Sequence, residues 1–182
     1  MVAAGDRLQE IVPIIRAEPR VLGSIIRINR DTRFSPDKRP YKDHLDLWFW
    51  EGDRKAAASG FYARLTPEGL GVGVGAHGFS KERLTVYRDS VADLKAGARL
   101  LDAVRAVEEA GYPLRGEEYK RTPPGFDVND PERERLLRFS ALWAAFEEPD
   151  GPWLQTPEAL DRPLAHWNKM LPLHRWIVSA LS

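Results

Sequence analysis

His44-Leu45-Asp46-Leu47-Trp48-Phe49-Trp50 alternates without interruption, setting Leu45, Leu47 and Phe49 on one side and His44, Asp46, Trp48 and Trp50 on the other. A period of two marks a strand with two unlike faces. Gly52-Asp53 can turn it back into Ala57 to Leu65, and Thr66-Pro67-Glu68-Gly69 turns that run into Leu70 to Ala76. The three runs predict an antiparallel meander. The last one carries Gly71, Gly73 and Gly75 at every second position, which strips one face of side chains. Glycine weakens a strand, so something should compensate. The expected cover is aromatic, from Trp48, Trp50 or Tyr62; the alternative is a ligand or another backbone in close approach.

Upstream, Val21 to Asn29 alternates with Leu22, Ile26 and Ile28 against Arg27 and Asn29, and predicts a first strand. Leu8, Ile11, Val12 and Ile15 have helical spacing, but Pro13 removes a backbone donor, so that helix is kinked there or restarts. Downstream, Ser80 is placed to cap a helix through Leu84, Tyr87, Val91 and Leu94, followed by Leu100, Leu101, Val104 and Val107 after a bend at Gly97. Gly111 ends this stretch and Tyr112 to Lys120 reads as a short strand. After Pro131 the apolar spacing fits helix and strand equally. Thr156-Pro157 starts a further helix carrying Leu160, Leu164, Trp167 and Leu171, with a break near Pro172 and a last amphipathic helix beyond it. The expected fold is α+β: an antiparallel sheet of about four to six strands packed by helices mainly from the C-terminal half.

A chain of 182 residues, 43% hydrophobic, can fill one full-sized core, and residues 1–182 read as a single domain. Cysteine is absent, which excludes disulfides and thiolate chemistry and fits a reducing, cytoplasmic setting. No segment approaches a membrane span, so a soluble protein with no membrane role is expected. Net charge is zero but unevenly spread. Between Arg27 and Lys42 six cations face two carboxylates, whereas Asp102 to Asp161 holds fourteen acidic residues against seven basic ones.

That cationic stretch, Arg27-Ile-Asn-Arg30-Asp31-Thr-Arg33-Phe34-Ser-Pro-Asp37-Lys38-Arg39-Pro40-Tyr41-Lys42, is too charged for a core and crosses two prolines, which predicts an ordered loop between the first two strands. Arginine grips carboxylate or phosphate with a planar fork, so the loop is the expected anion site, with Arg27 and Arg33 as the clamp. Arg30, Asp31, Asp37, Lys38, Tyr41, Lys42 and His44 complete the candidate set, and Lys120 and Arg121 could add a basic rim. The competing reading is structural: Asp31 and Asp37 pair with the arginines and pin the loop.

From Arg27 to Tyr41 the residues match Arg-x-x-Arg-Asp-x-Arg-Phe-x-x-(Asp/Asn)-Lys-x-x-Tyr at Arg27, Arg30, Asp31, Arg33, Phe34, Asp37, Lys38 and Tyr41. Leu114-Arg-Gly116 and Lys120-Arg121-Thr-Pro-Pro-Gly125-Phe126 with Pro131 match a second recurring segment. Both resemble domain-of-unknown-function family 2461, a bacterial and fungal family. The resemblance spans most of the chain and brings no activity with it. Family members carry a further N-terminal segment rich in aromatics and asparagine; the resemblance therefore implies a more open site here, or a different cover.

Other chemistries have weaker footing. Gly73-Val-Gly75-Ala-His-Gly78 fits a dinucleotide fingerprint, but it follows a meander rather than opening a parallel βαβ unit. His44, His77, His166 and His174 lack metal-ligand spacing, so no metal site is expected and the cofactor is unknown. A nucleic-acid-binding module would join the basic loop to Trp48, Trp50, Phe61 and Tyr62 as stacking platforms, but the helices are numerous enough to cover both sheet faces. The best hypothesis is a domain binding a small phosphate- or carboxylate-bearing ligand at the Arg27 to Lys42 loop. The alternatives are nucleic-acid binding and docking of an acidic protein partner; whether the protein is an enzyme stays open.

Overall fold

The computed structural model describes every residue except Ser35. Helix α1 (Val2–Ile11) leads to a two-residue strand β1 (Ile15–Arg16), then β2 (Leu45–Glu51), β3 (Gly60–Thr66) and β4 (Gly69–Ala76). Helices α2 (Lys81–Ala92) and α3 (Leu94–Glu109), strand β5 (Leu114–Glu117), the short helix α4 (Pro131–Leu136), strand β6 (Phe139–Pro149) and the long helix α5 (Glu158–Leu181) follow. All six strands form one antiparallel sheet in the order β1-β2-β3-β4-β6-β5. The fold is α+β, as the sequence predicts.

The helices pack on one face. Phe49, Phe61, Val72, Val74, Leu142 and Ala144 point into a core filled from α5 by Trp167, Met170 and Ile177, and from α2 and α3 by Tyr87, Val91, Leu100 and Val104. Trp167 anchors this layer: its ring meets Phe49 and Phe61 edge-on at 5.5 and 6.0 Å, and its indole N–H donates to the Tyr62 carbonyl at 3.0 Å. Asp46, Trp48, Trp50, Tyr62, Arg64, Trp143 and Glu147, all on the other face, belong to no part of that core. The expectation that helices cover both faces is therefore wrong. α2 and α3 pack on α5 and on each other and extend the helical layer away from the sheet.

The run from Val21 to Asn29 is not a strand, because its backbone changes partner midway. Glu18 to Ile25 closes a tight turn, with Ser24 Oγ accepting from the Glu18 amide at 2.9 Å and Leu22 in the left-handed region at φ 65°. Ser24 and Ile26 then bond to Trp48 and Asp46 along the edge of β2, whereas Ile28 and Arg30 bond to Lys42 and Pro40. The charged stretch is thus a hairpin-like arm hanging from that edge. Its legs are joined by Arg30 N–H to Pro40 O at 2.9 Å and Lys42 N–H to Ile28 O at 2.8 Å.

Three helix boundaries also differ. α1 stops at Ile11, before Pro13, instead of bending through it. The break between α2 and α3 falls at Asp93, whose side chain accepts from the Lys95 and Ala96 amides at 3.0 and 2.7 Å; Gly97 lies inside α3. α5 runs through Pro172. The carbonyl that Pro172 cannot serve, that of Asn168, lies on the exposed side, while Leu171, Leu173, Trp176 and Ile177 bury the opposite stripe. The ambiguous segment after Pro131 is both: α4, then β6.

Candidate functional site

Three rows of side chains cross the open face. Cross-strand register aligns Asp46, Arg64, Gly71 and Glu147; then Trp48, Tyr62, Gly73 and Ala145; then Trp50, Gly60, Gly75 and Trp143. Because the glycines contribute no side chain, the middle of this face sinks into a hollow of about 320 Å³. Gly60, Gly73 and Gly75 floor it, Trp48, Tyr62 and His77 stand around it, and Asp46 closes one end. The glycine track is only partly covered: Tyr62 Cδ1 lies 3.7 Å from where a Gly73 Cβ would stand, and the other two glycines face Glu147 and Trp143 of β6. Trp48, expected over the track, lies across Gly60 instead.

Each ring on this face carries a polar cap. Arg54 sits 5.0 Å from the Trp48 ring and 5.5 Å from Trp50, and the two indoles stack on each other at 5.1 Å. Arg64 lies 5.5 Å from the Tyr62 ring, and His77 stacks on Trp143 at 4.2 Å. Capped rings leave the hollow, rather than the face as a whole, as the accessible feature. Phe61, a candidate stacking platform, is fully buried on the helical side.

Asp46 is the chemical centre. Only 6% exposed, it receives Arg64 Nε at 2.7 Å and Nη2 at 3.2 Å, and the Tyr62 hydroxyl at 3.3 Å. Lys42 Nζ stands 3.6 Å and His44 Nε2 3.5 Å from its second oxygen. Burial pushes the Asp46 carboxyl up, but the Arg64 hydrogen bond and the charges of Arg64, His44 and Lys42 outweigh it and hold the group below the usual carboxylate range. Burial, then the Asp46 charge, drives the Tyr62 phenol well above its ordinary value, so it stays a proton donor. Desolvation of the His77 ring, then the charge of Arg64, keeps that imidazole below its ordinary value, which favours the neutral ring with one nitrogen donating and the other accepting.

Behind Asp46, a second hollow of about 210 Å³ is lined by Arg30, Arg39, Lys42, Asp43 and His44. The structure thus brings Arg30, Lys42 and His44 together. Arg33 grips Asp31 in a fork, Nε at 3.0 Å and Nη2 at 2.6 Å, while Asp37 takes both Arg30 and Arg39 and Lys38 Nζ reaches the Thr32 carbonyl at 2.8 Å. Arg27 is exposed and makes no ion pair among the described residues, and neither Arg27, Arg33, Lys38 nor Tyr41 lines either hollow. Lys120 and Arg121 follow β5, at the opposite sheet edge from the arm. Among the described residues no group of three or more His, Asp or Glu is placed to hold a metal ion.

A family model described as a conserved hypothetical protein matches residues 1–176. The chain belongs to the DUF2461 family. No curated protein and no solved structure matches it. In this DUF2461 chain Asp31, Arg33, Asp37 and Lys38 fasten the arm to itself, Arg30 does so through Asp37 and also borders the smaller hollow, and Lys42 and His44, outside the matched positions, border that hollow too. Asp46, Arg64, Tyr62 and His77 escape a sequence search centred on the loop. The available signal was an aspartate inside an otherwise aromatic and aliphatic strand, with an arginine in the next run. No helix is long and apolar enough to cross a membrane.

Proposed function

We propose that this domain binds a small phosphate- or carboxylate-bearing ligand, its body in the open-face hollow and its anionic group at the Asp46 end. The observation that carries the reading is the gathering of Lys42, His44 and Arg64 on Asp46, the buried carboxylate that closes one end of that hollow. Arg64 has five N–H donors and Lys42 three, more than Asp46 can accept, so donors are left for a ligand anion. Arg30 and Arg39 add positive charge behind them. Glu147, the next residue beyond Gly71 in the same row, puts negative charge on the far side of Arg64, so the anion enters from the side of Lys42 and His44.

A volume near 320 Å³ falls at the lower end of small-molecule sites. A larger apolar groove of about 350 Å³ on the helical face, between α1 and α5, lacks convergent polar groups; its one hydroxyl, on Thr156, is committed to the Trp153 carbonyl. Calorimetric titration with inorganic phosphate and with sugar and nucleoside monophosphates tests the proposal. Lys42→Ala should weaken binding by about 10- to 100-fold, the worth of one charge-assisted hydrogen bond, with the cooperative thermal transition retained. Equal affinity in the variant overturns it.

A further inference from the structure

The tip of the arm is a surface separate from the open-face hollow; of its residues, Arg39 also borders the smaller one. Phe34 is 93% exposed and Tyr41 56% exposed, and they stand among Arg27, Arg33, Lys38 and Arg39, all exposed. Phe34 is open to water and so free to stack on a flat partner. Arg33 stands near Phe34, its guanidinium 5.7 Å from the ring centroid, and leaves the side chain open to water. The arm is fastened internally: Asp31 holds Arg33 through side chain and backbone, Asp37 holds Arg30 and Arg39, and Lys38 spans to Thr32. These pairs use both carboxylates of the stretch; of its excess of four positive charges Lys42 is engaged by Asp46, and three are left uncompensated.

We infer that the arm tip binds single-stranded nucleic acid, with Phe34 and then Tyr41 stacking on bases and Arg27, Lys38 and their neighbours meeting the phosphates. Such strands offer a partner to each feature of the tip: regularly spaced anions to its cations, and the flat π surface that every base has to its rings. A lipid surface fits less well. Asp31 and Asp37 flank Phe34, and sinking its ring among acyl chains would desolvate two ion-paired carboxylates. This differs from a stacking platform on the sheet, where Trp50 is buried and Trp48, Tyr62 and Trp143 are half-buried.

Fluorescence anisotropy with a labelled oligo(dT) of about 12 nucleotides at about 50 mM salt is the test. The inference predicts saturable binding that Phe34→Ala weakens by about 5- to 100-fold, because one stacked base is lost. Arg27→Ala should make the dependence on salt shallower by about 0.7 in the log-log slope. Gly73→Ala, which obstructs the hollow, should leave oligonucleotide affinity within about twofold, as the surfaces are independent. No binding at low salt, equal affinity with Phe34→Ala, or loss of binding in Gly73→Ala each overturns the inference. Binding to phosphatidylserine vesicles without binding to the oligonucleotide overturns it too, and gives the tip to lipid.

Discussion

Arg64 and Asp46 face each other across β3 and β2, the arginine meeting both carboxylate oxygens, Nε at 2.7 Å and Nη2 at 3.2 Å. Asp46 is buried while Arg64 is partly open to solvent, so the pair couples the sheet interior to the mouth of the hollow. Asp46→Ala would leave Arg64, Lys42 and Tyr62 without their common acceptor. Urea denaturation should show a loss of about 1–3 kcal/mol, and Asp46→Asn, which keeps an acceptor oxygen, a smaller one.

Gly73→Ala separates fold from site. The added methyl would stand 3.1 Å from the Ala144 carbonyl oxygen and 3.7 Å from Tyr62, which small shifts can absorb. Stability should change by no more than about 1 kcal/mol while affinity for the hollow's ligand falls, since the methyl rises from its floor. Thermal melts beside the calorimetric titration read both.

Arg133 holds the α2–α3 junction. Its Nη2 donates to the carbonyls of Val91, Ala92 and Asp93 at 2.7, 2.9 and 3.0 Å, and only a side chain as small as that of Gly97 lets the guanidinium come so close to α3. Arg133→Met keeps the buried stem and strands these helix-end carbonyls. The expected loss is about 2–3 kcal/mol by chemical denaturation, with ligand binding retained.

His174 makes stability pH-dependent. Fully buried on α5, it bonds through Nδ1 to Ser59 at 2.9 Å and through Nε2 to Glu51 at 3.0 Å. Burial lowers its pKa; Glu51 pulls the other way without prevailing, and Arg175 adds to the lowering. The unfolded chain takes up this proton near pH 6.5 and the folded chain resists it. The contribution is therefore complete above about pH 6.5 and lost as pH falls through the folded pKa. His174→Gln should flatten the slope of unfolding free energy between about pH 7 and pH 5.

Legibility in the sequence followed the range of the forces involved. Strands β2 and β4, the Ser80 cap and the stop at Gly111 rest on period, turn and cap chemistry within a few residues, and they are where the sequence puts them; β3 follows too but begins at Gly60 instead of Ala57. Val21 to Asn29 failed because its hydrogen bonds divide between Asp46 and Trp48 on one side and Lys42 on the other, a choice no local pattern encodes. Pro172 was outvoted by burial along α5. The arm's charges announced themselves, but their pairing with Asp31 and Asp37 and the meeting of Lys42, His44 and Arg64 at Asp46 depend on tertiary placement.

Nitrogen-15 NMR titration with inorganic phosphate up to about 10 mM tests the central claim most directly, since even weak sites saturate in that range. The account predicts shifts at Lys42, His44, the Arg64 guanidinium and the Trp48 indole N–H, and their disappearance in Lys42→Ala. Shifts confined to Arg33 through Lys38, or none at all, would contradict it.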